Sequence, residues 1–338
     1  MKMKAAILEK LNAPLVIDEL EIPVLECGQV LVKVHASGIC GKQIGEISGH
    51  YGKDPYLPHL LGHEAGGIVA DIGPGVTQVK QGDHVVMHWR KGVGIESNCP
   101  MYHRKAGEVG AGPVATFNEY AVVSENRLTR INDDIPFEIA ALMGCAVTTG
   151  LGLINNEAQL KIGQPIAVIG CGGIGLNIIQ GAAMVSAYPI IAIDIYESKL
   201  NMAQKFGATH YCLMGDLSQS DLESYDVVVD CTGKVNCIET AYKLTAPGGK
   251  TIMVGQPRYD QDLIFPSMAQ NFTGKTLIDS QGGQTNPTID IPRYLGLYRK
   301  GRLRLDDLIT HRYPLDEINE AIETVKSGKA GRVVLEMK

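Results

Sequence analysis

A glycine-rich turn in the middle of the chain carries the strongest chemical signal in the sequence. Residues 170–175 read GCGGIG, with the spacing G-x-G-x-x-G, after an apolar strand-like run and before a helical stretch over 174–187. In this context the first glycine permits a tight turn, the second lets the backbone approach a pyrophosphate, and the third lets the helix pack on the strand. The free N–H groups at the start of that helix attract phosphate. The sequence therefore predicts a dinucleotide site whose contacts are Gly170, Gly172, Gly173, Ile174 and Gly175.

An acidic residue at the end of the next predicted strand indicates which dinucleotide binds. Asp194 lies 19 residues beyond Gly175, where a carboxylate can accept hydrogen bonds from ribose hydroxyls and repels a 2′-phosphate. The next residue is Ile195 rather than an arginine, so the sequence predicts NAD in preference to NADP. Lys199 is a candidate for a second contact to the same ribose, and the alternative for it is a solvated helix residue.

A second set of motifs combines histidine, glutamate and cysteine with regularly spaced glycines. In chain order they are Gly38-Ile39-Cys40-Gly41, Gly62-His63-Glu64-x-x-Gly67 followed by Gly73 and Val76, Gly82-Asp83-His84-Val85, and Gly144-Cys145 through Gly150. Together these motifs resemble the zinc-containing alcohol dehydrogenases of the medium-chain dehydrogenase/reductase family. The runs at 290–292 and 328–332 are also similar, so the resemblance covers nearly the whole chain.

The resemblance implies a catalytic zinc held by Cys40, His63 and Cys145. It also implies Glu64 as an alternating ligand or as a carboxylate just outside the ligands, and Arg332 as a further cofactor contact. The chemistry is consistent, since catalytic zinc takes three protein ligands, and two thiolates with one imidazole form a set used by alcohol dehydrogenases. The implied reaction is zinc-assisted hydride transfer between an alcohol carbon and NAD.

Two residues beside the first cysteine depart from the family pattern. Family members usually have Ser or Thr two residues after this cysteine and then Asp, whereas this chain has Lys42 and Gln43. The role of the Asp can pass to Gln43, whose amide oxygen can accept a hydrogen bond from the imidazole ligand. For Lys42 three interpretations stay open: a proton acceptor near the metal, a contact to the cofactor pyrophosphate or an anionic substrate, or a surface lysine.

The region in which many relatives bind a second, structural zinc also differs. Between residues 88 and 112 the chain has a single cysteine, Cys99, and His103 follows four residues later. Two ligands do not close a tetrahedral site, and His88 would add only a third. We therefore predict one zinc per subunit.

The resemblance also suggests where substrate would bind. Trp89 and Phe117 fall where relatives place substrate-pocket residues, and Tyr51 is a further candidate; core packing is the alternative for each. The two basic residues that follow Trp89, together with Lys42, indicate a polar or anionic substrate such as a polyol, a sugar or a sugar derivative.

Two other functions stay open on the sequence alone. A zinc-free quinone or enone reductase of the same superfamily would lack the Cys–His–Cys set and would usually prefer NADPH. A relative that kept the fold without catalysis would be consistent with the changes at positions 42 and 43. The intact ligand set and the intact nucleotide motif argue against both alternatives.

The elements that must position these residues follow three patterns. Residues 1–147 contain short β-like runs and glycine turns, which predicts a β-barrel-like unit; by resemblance it is the GroES-like catalytic domain. Residues 148–292 alternate apolar strands with helices, which predicts a Rossmann domain with a doubly wound parallel sheet. Residues 293–338 are expected to return to the first domain. The predicted α/β protein thus has an NAD-binding domain inserted in a zinc domain, with the active site in the cleft between them.

Composition argues against several other classes of protein. Among 338 residues, 45% are apolar, 20% are charged and the net charge is −6, so the basic face of a nucleic-acid-binding protein is not expected. No apolar run has the length of a membrane span, and no signal-peptide core is present. The eight cysteines form no C-x-x-C pair, so we expect reduced thiols and a cytoplasmic location. By resemblance, we expect a homodimer or homotetramer, with residues 276–283 as an interface strand.

Overall fold

The computed structural model describes residues 1–265 and 267–337, and the chain divides into two compact units. The first unit combines Met1–Cys145 with Asn286–Lys338, and the second is Ala146–Thr285. The C-terminal segment therefore belongs to the first unit. The boundary between the second unit and the C-terminal segment lies between Thr285 and Asn286 rather than at 292. One helix begins at Pro287 and runs on through Pro292, so a boundary at 292 would divide it.

The helices and strands of each segment are as follows. The N-terminal segment contains β1 (Lys2–Leu8), β2 (Val16–Glu21), β3 (Gln29–Ile39), α1 (Gly41–Ile47), β4 (His59–Leu60), β5 (Glu64–Ile72), β6 (His84–His88), β7 (Met101–Arg104), β8 (Gly107–Gly110), β9 (Tyr120–Ser124), β10 (Leu128–Arg130) and α2 (Phe137–Met143). The second unit contains α3 (Ala146–Gly152), β11 (Ile166–Ile169), α4 (Gly173–Met184), β12 (Ile190–Asp194), α5 (Glu197–Lys205), β13 (His210–Leu213), β14 (Tyr225–Asp230), α6 (Val235–Leu244), β15 (Thr245–Met253), α7 (Ser267–Thr273) and β16 (Thr276–Asp279). The C-terminal segment contains α8 (Pro287–Arg299), β17 (Ile309–Pro314), α9 (Ile318–Lys326) and β18 (Arg332–Glu336).

The strands of the first unit form a small closed barrel and a larger sheet. The barrel consists of β1, β2, β7, β8 and β4, and the sheet has the order β10-β6-β5-β3-β18-β17, with β9 also pairing with β3. Strand β18 pairs antiparallel with β3, so that Val334 lies opposite Gly38. Helix α9 buries one face, with Ile318, Ala321 and Ile322, against the core of this unit. The predicted barrel-type domain is confirmed.

The second unit is a parallel sheet with the strand order β13-β12-β11-β14-β15-β16. All four residues of β11 are buried, as are the first four residues of β12. Such continuous apolar strands are typical of a parallel sheet that is covered on both faces. The predicted Rossmann-type domain is confirmed, and its central strand β11 leads directly into the glycine turn.

Helices long and apolar enough to cross a membrane were sought among the described residues. No single helix meets both conditions. The pair Phe137–Met143 and Ala146–Ala158, which is bent between its two parts, meets them by length and composition when the two parts are taken together.

Candidate active site

The three predicted zinc ligands lie together in the first unit. Cys40 directly follows β3, His63 precedes β5, and Cys145 follows α2 by two residues. Their ligand atoms all lie within 4.8 Å of one another. Both cysteines are buried, and Nε2 of His63 is buried without a hydrogen-bond partner. Among the described residues, this is the one group of three His, Cys, Asp or Glu side chains that is close enough to hold a metal ion.

Two glycines allow the chain to bring Cys145 to this cluster. A Cβ atom at Gly144 would lie 2.7 Å from Cβ of Glu64, and a Cβ atom at Gly66 would lie 2.8 Å from an alanine Cβ of α2. Both distances are shorter than van der Waals contact. Because neither position has a side chain, α2 packs directly on β5, and the end of α2 delivers Cys145 next to His63.

The charges around the cluster favour a thiolate. Contact with Cys145, together with His63 and the guanidinium of Arg332, holds the pKa of the Cys40 thiol well below its usual range, although burial acts in the opposite direction. The thiolate is the form of cysteine that binds metal. The donor set, its spacing and its electrostatics therefore fit a zinc ion.

Gln43 contacts His63 through its amide nitrogen rather than through its amide oxygen. Nε2 of Gln43 lies 2.7 Å from Nδ1 of His63. Oε1 instead accepts a hydrogen bond of 3.1 Å from the backbone N–H of Cys40, at the start of α1. The prediction that the amide oxygen of Gln43 accepts a hydrogen bond from the imidazole is therefore wrong, because that oxygen is used by the backbone.

Glu64 and Arg332 form a buried ion pair beside the ligands. Glu64 is 0% exposed and Arg332 is 5% exposed, and Nη2 of Arg332 contacts Oε1 of Glu64. The carboxylate of Glu64 does not belong to the cluster of ligand atoms, because it is turned toward the guanidinium that balances its charge. The structure thus places Glu64 next to the ligands rather than among them. The cofactor contact of Arg332 stays a prediction.

Lys42 and Tyr51, two of the predicted catalytic or substrate residues, are in contact. Nζ of Lys42 lies 3.4 Å from the centroid of the Tyr51 ring and 3.7 Å from Oε1 of Glu46. Gly45 makes room for this arrangement, since a Cβ atom there would lie 2.9 Å from the Tyr51 hydroxyl oxygen. Burial raises the pKa of Tyr51 to about 12. The Tyr51 hydroxyl is therefore protonated at neutral pH.

The other two predicted pocket residues lie in different environments. Phe117 is 0% exposed and belongs to the hydrophobic core of the first unit. The structure thus gives Phe117 the core role that was its alternative on sequence, and its assignment to a substrate pocket is not carried further. Trp89 is half-buried, with the guanidinium carbon of Arg90 5.7 Å from its ring centroid.

Among the described residues, none of the three singled out in the structural-zinc region, Cys99, His103 and His88, belongs to a group of side chains close enough to hold a metal ion. Nδ1 of His88 lies 2.7 Å from the carbonyl oxygen of Arg90, and Nε2 lies 2.9 Å from the hydroxyl of Thr129. Both ring nitrogens are thus already hydrogen-bonded, and burial lowers the pKa of His88 to about 4. Cys99 is exposed, and among the described residues it has no two other His, Cys, Asp or Glu side chains close enough to share a metal ion with it.

The glycine turn of the second unit has the geometry that a pyrophosphate site needs. Gly170 has a φ of +93°, which a residue with a side chain rarely adopts. A Cβ atom at Gly175 would collide with the carbonyl oxygen of Gly170, whereas one at Gly172 would have no atom within 4 Å. Gly172 is the N-cap of α4, and no side chain caps this helix. The first N–H groups of α4 can therefore bind a phosphate.

Asp194 ends β12 beside this turn. Its Oδ2 accepts a hydrogen bond of 2.8 Å from the N–H of Cys171, and its Oδ1 accepts bonds from the N–H groups of Ile195 and Tyr196. The carboxylate thus links the end of β12 to the glycine turn through three backbone hydrogen bonds. Lys199 is 4% exposed, and burial lowers its pKa while Asp194 raises it. The alternative of a solvated helix residue is wrong for Lys199.

Known proteins resemble this chain along its whole length. Residues 26–133 match the alcohol dehydrogenase GroES-like domain, and residues 173–298 match the zinc-binding dehydrogenase domain. The chain is 32% identical to the NDMA-dependent alcohol dehydrogenase of Amycolatopsis methanolica, over 99% of both chains. It is also 32% identical to the S-(hydroxymethyl)glutathione dehydrogenase of Haemophilus influenzae, over 99% of this chain and 97% of the relative. The chain belongs to the zinc-containing, medium-chain alcohol dehydrogenase family.

A solved structure agrees with this assignment. Benzyl alcohol dehydrogenase from Acinetobacter calcoaceticus superimposes with a TM-score of 0.90 and 26% identity, and the match covers 100% of both chains. As a member of the alcohol dehydrogenase family, the protein is an oxidoreductase that acts on alcohols and uses zinc and a nicotinamide cofactor. A zinc-free reductase is not consistent with the zinc-binding domain match and the Cys–His–Cys cluster.

Proposed function

We propose that this alcohol dehydrogenase oxidises a polar alcohol, such as a polyol, a sugar or a sugar derivative, to an aldehyde or ketone with NAD as the acceptor. The observation that carries the proposal is the buried cluster of Cys40, His63 and Cys145, whose ligand atoms lie within 4.8 Å of one another. Zinc bound by these three side chains would act as a Lewis acid on the substrate oxygen.

Two features of the second unit support NAD as the cofactor. The uncapped start of α4 offers N–H groups to the pyrophosphate, and the carboxylate of Asp194 lies beside this turn, where it can accept a hydrogen bond from a ribose hydroxyl. A second negative charge on a 2′-phosphate would be repelled by this carboxylate. Neither of the residues that follow it, Ile195 and Tyr196, carries a positive charge that would offset the repulsion.

The contacts of Lys42 support a polar substrate. Its ammonium group is a hydrogen-bond donor, Glu46 beside it is an acceptor, and the Tyr51 hydroxyl can serve as either. Lys42 and Glu46 lie on α1, the helix that begins directly after Cys40, so these polar groups lie near the ligand cluster. A substrate with several hydroxyl groups or an anionic group can satisfy them, whereas an aliphatic chain cannot.

Zinc content and substrate range test the proposal directly. We expect one zinc per chain in the purified protein, and NAD reduction with polyols or sugars that is lost when the zinc is removed by a chelator. A protein that contains no zinc, or that contains zinc but reduces NAD with no alcohol, would contradict the proposed activity. Far better turnover of simple aliphatic alcohols than of polyols and sugars would contradict the proposed substrate class.

Substitution of Lys42 tests the contact to the substrate. For Lys42→Met we expect kcat/KM for the best polar substrate to fall roughly 10- to 100-fold, since a hydrogen bond to a charged group contributes about 1.5–3 kcal/mol. Lys53→Met, on the exposed stretch that follows Tyr51, is the matched control and should leave kcat/KM unchanged. An equal effect of Lys42→Met on a small aliphatic alcohol would show that Lys42 does not recognise the polar part of the substrate.

A further inference from the structure

The two contacts of Gln43 determine which tautomer a neutral His63 adopts in the metal-free protein. A backbone N–H is always a donor, so the amide atom 3.1 Å from the nitrogen of Cys40 has to be the oxygen. The amide atom 2.7 Å from Nδ1 of His63 is then the NH2 group, which is also a donor. Nδ1 must accept this hydrogen bond, and a neutral imidazole therefore carries its proton on Nε2.

This tautomer is the wrong one for binding a metal. Nδ1 is occupied by Gln43, so Nε2 is the ring nitrogen left for zinc; it is buried and has no hydrogen-bond partner. A metal-binding imidazole nitrogen carries no proton, and the other ring N–H needs an acceptor. When Nε2 of His63 binds zinc, the proton has to lie on Nδ1, where it faces the NH2 group of Gln43.

With zinc bound, the single acceptor oxygen of Gln43 would have to serve two buried donors. These are the backbone N–H of Cys40 and the Nδ1–H of His63, which lie in different directions. Gln43 is 1% exposed, so water does not readily replace a lost contact. Rotating the amide to satisfy Nδ1–H of His63 turns the NH2 group toward the N–H of Cys40. A carboxylate at position 43 avoids this conflict, because one oxygen can accept from Cys40 while the other accepts from His63.

We propose that Gln43 is a positioning residue that holds His63 in the tautomer protonated on Nε2, and that it thereby makes zinc binding weaker than it would be with a carboxylate at position 43. Substitutions at such outer positions typically change metal affinity 10- to 100-fold. The proposal relies on the assignment of the zinc ligands and goes beyond the oxidation of alcohols, since it concerns how the site takes up its metal.

Zinc affinity provides the first test. Metal-depleted protein is titrated with zinc in competition with a chromophoric chelator, for the wild type, Gln43→Glu and Gln43→Asp. We expect Gln43→Glu to bind zinc about 10- to 100-fold more tightly than the wild type. Gln81→Glu, which adds the same charge at an exposed turn of the same unit, should leave the affinity unchanged. Equal affinities of the wild type and both position-43 variants would overturn the proposal.

The tautomer itself provides a second test, which is measured in the wild-type protein. In metal-depleted wild-type protein labelled with 15N-histidine, the NMR signals of His63, assigned by their loss in His63→Gln, should show the proton on Nε2. A proton on Nδ1 of the neutral ring would overturn the proposal even if the affinities differed. Failure of the wild type and of both variants to bind any zinc would instead overturn the ligand assignment, and the proposed function with it.

Discussion

Asp194 already binds three backbone N–H groups before any cofactor is present. The N–H of Cys171 belongs to the glycine turn, while those of Ile195 and Tyr196 follow the aspartate in the chain. One carboxylate therefore fixes the end of β12 to the turn that receives the pyrophosphate. A ribose bound to Oδ2 would be positioned relative to that turn by the same group that discriminates against a 2′-phosphate.

Asp194→Asn removes the charge while keeping the shape of the side chain. We expect kcat/KM for NAD to fall roughly 10- to 100-fold, because hydrogen bonds to a charged group contribute about 1.5–3 kcal/mol. The ratio of kcat/KM for NADP to that for NAD should rise, because the 2′-phosphate is no longer repelled. Steady-state kinetics with both cofactors checks this, with Glu197→Gln at the exposed start of α5 as the control. An unchanged ratio would contradict the role given to Asp194.

At the scale of residues, the family resemblance implied the three zinc ligands, which the structure brings together, and the glycine turn was predicted from its motif spacing. Motif spacing was not sufficient to predict the contacts of Gln43. The donor that competes for its amide oxygen is the backbone N–H of Cys40, which faces the amide only once α1 has formed. The same holds for Lys42, whose contact with Tyr51 depends on the missing side chain of Gly45. Phe117 could not be placed because an aromatic residue suits a pocket and a core equally well.

Among the elements, the loop 89–98, which belongs to the stretch 88–112 where many relatives are expected to bind a structural zinc, is held by polar contacts. The carboxylate of Glu125 accepts hydrogen bonds from the N–H groups of Thr77, Gln78 and Ile95, at 2.9, 3.0 and 2.9 Å. Arg127 donates a bond of 2.8 Å to Glu96 in the loop. Glu125 and Arg127, which lie between β9 and β10, thus hold the loop through the backbone of Ile95 and the side chain of Glu96.

Glu125→Gln should weaken this arrangement. We expect the free energy of unfolding to fall by about 1–3 kcal/mol, because all three backbone donors lose their charged acceptor and at least one of them then faces an amide NH2 group. Urea unfolding followed by the fluorescence of Trp89, the single tryptophan of the chain and part of this loop, measures the effect. Glu320→Gln at an exposed site should change the free energy of unfolding by less than about 0.5 kcal/mol, and a similar loss in both variants would contradict the assignment.

The effect of Glu125 should depend on pH in a defined direction. Although burial acts in the opposite direction, the three backbone hydrogen bonds lower the pKa of Glu125 in the folded protein. A carboxyl group with a lowered pKa stabilises the fold fully above its unfolded pKa of about 4.3, and this stabilisation is lost as pH falls through the lower folded value. The difference between the wild type and Glu125→Gln should therefore be constant near neutral pH and shrink below about pH 4.3. A difference that grows in acid would contradict this account.

Elements with a strong local pattern were predicted close to their observed bounds. The apolar run ahead of the glycine turn, observed as β11, and the helix predicted over 174–187, observed over Gly173–Met184, are examples, since the glycine turn separates them. The π-helical turn Leu153–Ala158 that continues α3 was not foreseen. It packs against residues 282–284, and a contact between such distant parts of the chain leaves no periodic signal in the sequence.

At the scale of the whole molecule, the two edge strands of the parallel sheet are candidate sites for contact between subunits. Strand β16 forms one edge and β13 the other. Just ahead of β16, Phe272 has 80% of its surface exposed. An open strand edge next to exposed apolar side chains can pair with a second copy of the chain, so we propose that subunits associate through β16, within the stretch 276–283 predicted from sequence.

Lysine substitutions on the two edge strands distinguish the possible interfaces. We expect the wild type to have two or four times the mass of one chain by light scattering. Ile278→Lys in β16 should lower that mass, because a charged side chain on an edge strand opposes pairing. Tyr211→Lys, on the opposite edge strand β13 and 58% exposed in the isolated chain, should leave it unchanged. Dissociation by Tyr211→Lys alone would place the interface at the other edge.

The ion pair between Glu64 and Arg332 has a consequence for the order in which the protein can fold during synthesis. Glu64 lies early in the chain, whereas Arg332 and β18 are made only after the whole second unit. Until then the carboxylate of Glu64 has no guanidinium to balance it, and β3 lacks its neighbour β18. Since the sheet of the zinc-binding unit stays incomplete until β18 is made, the inserted nucleotide-binding unit should reach its native state on the ribosome before the zinc-binding unit that encloses it in sequence.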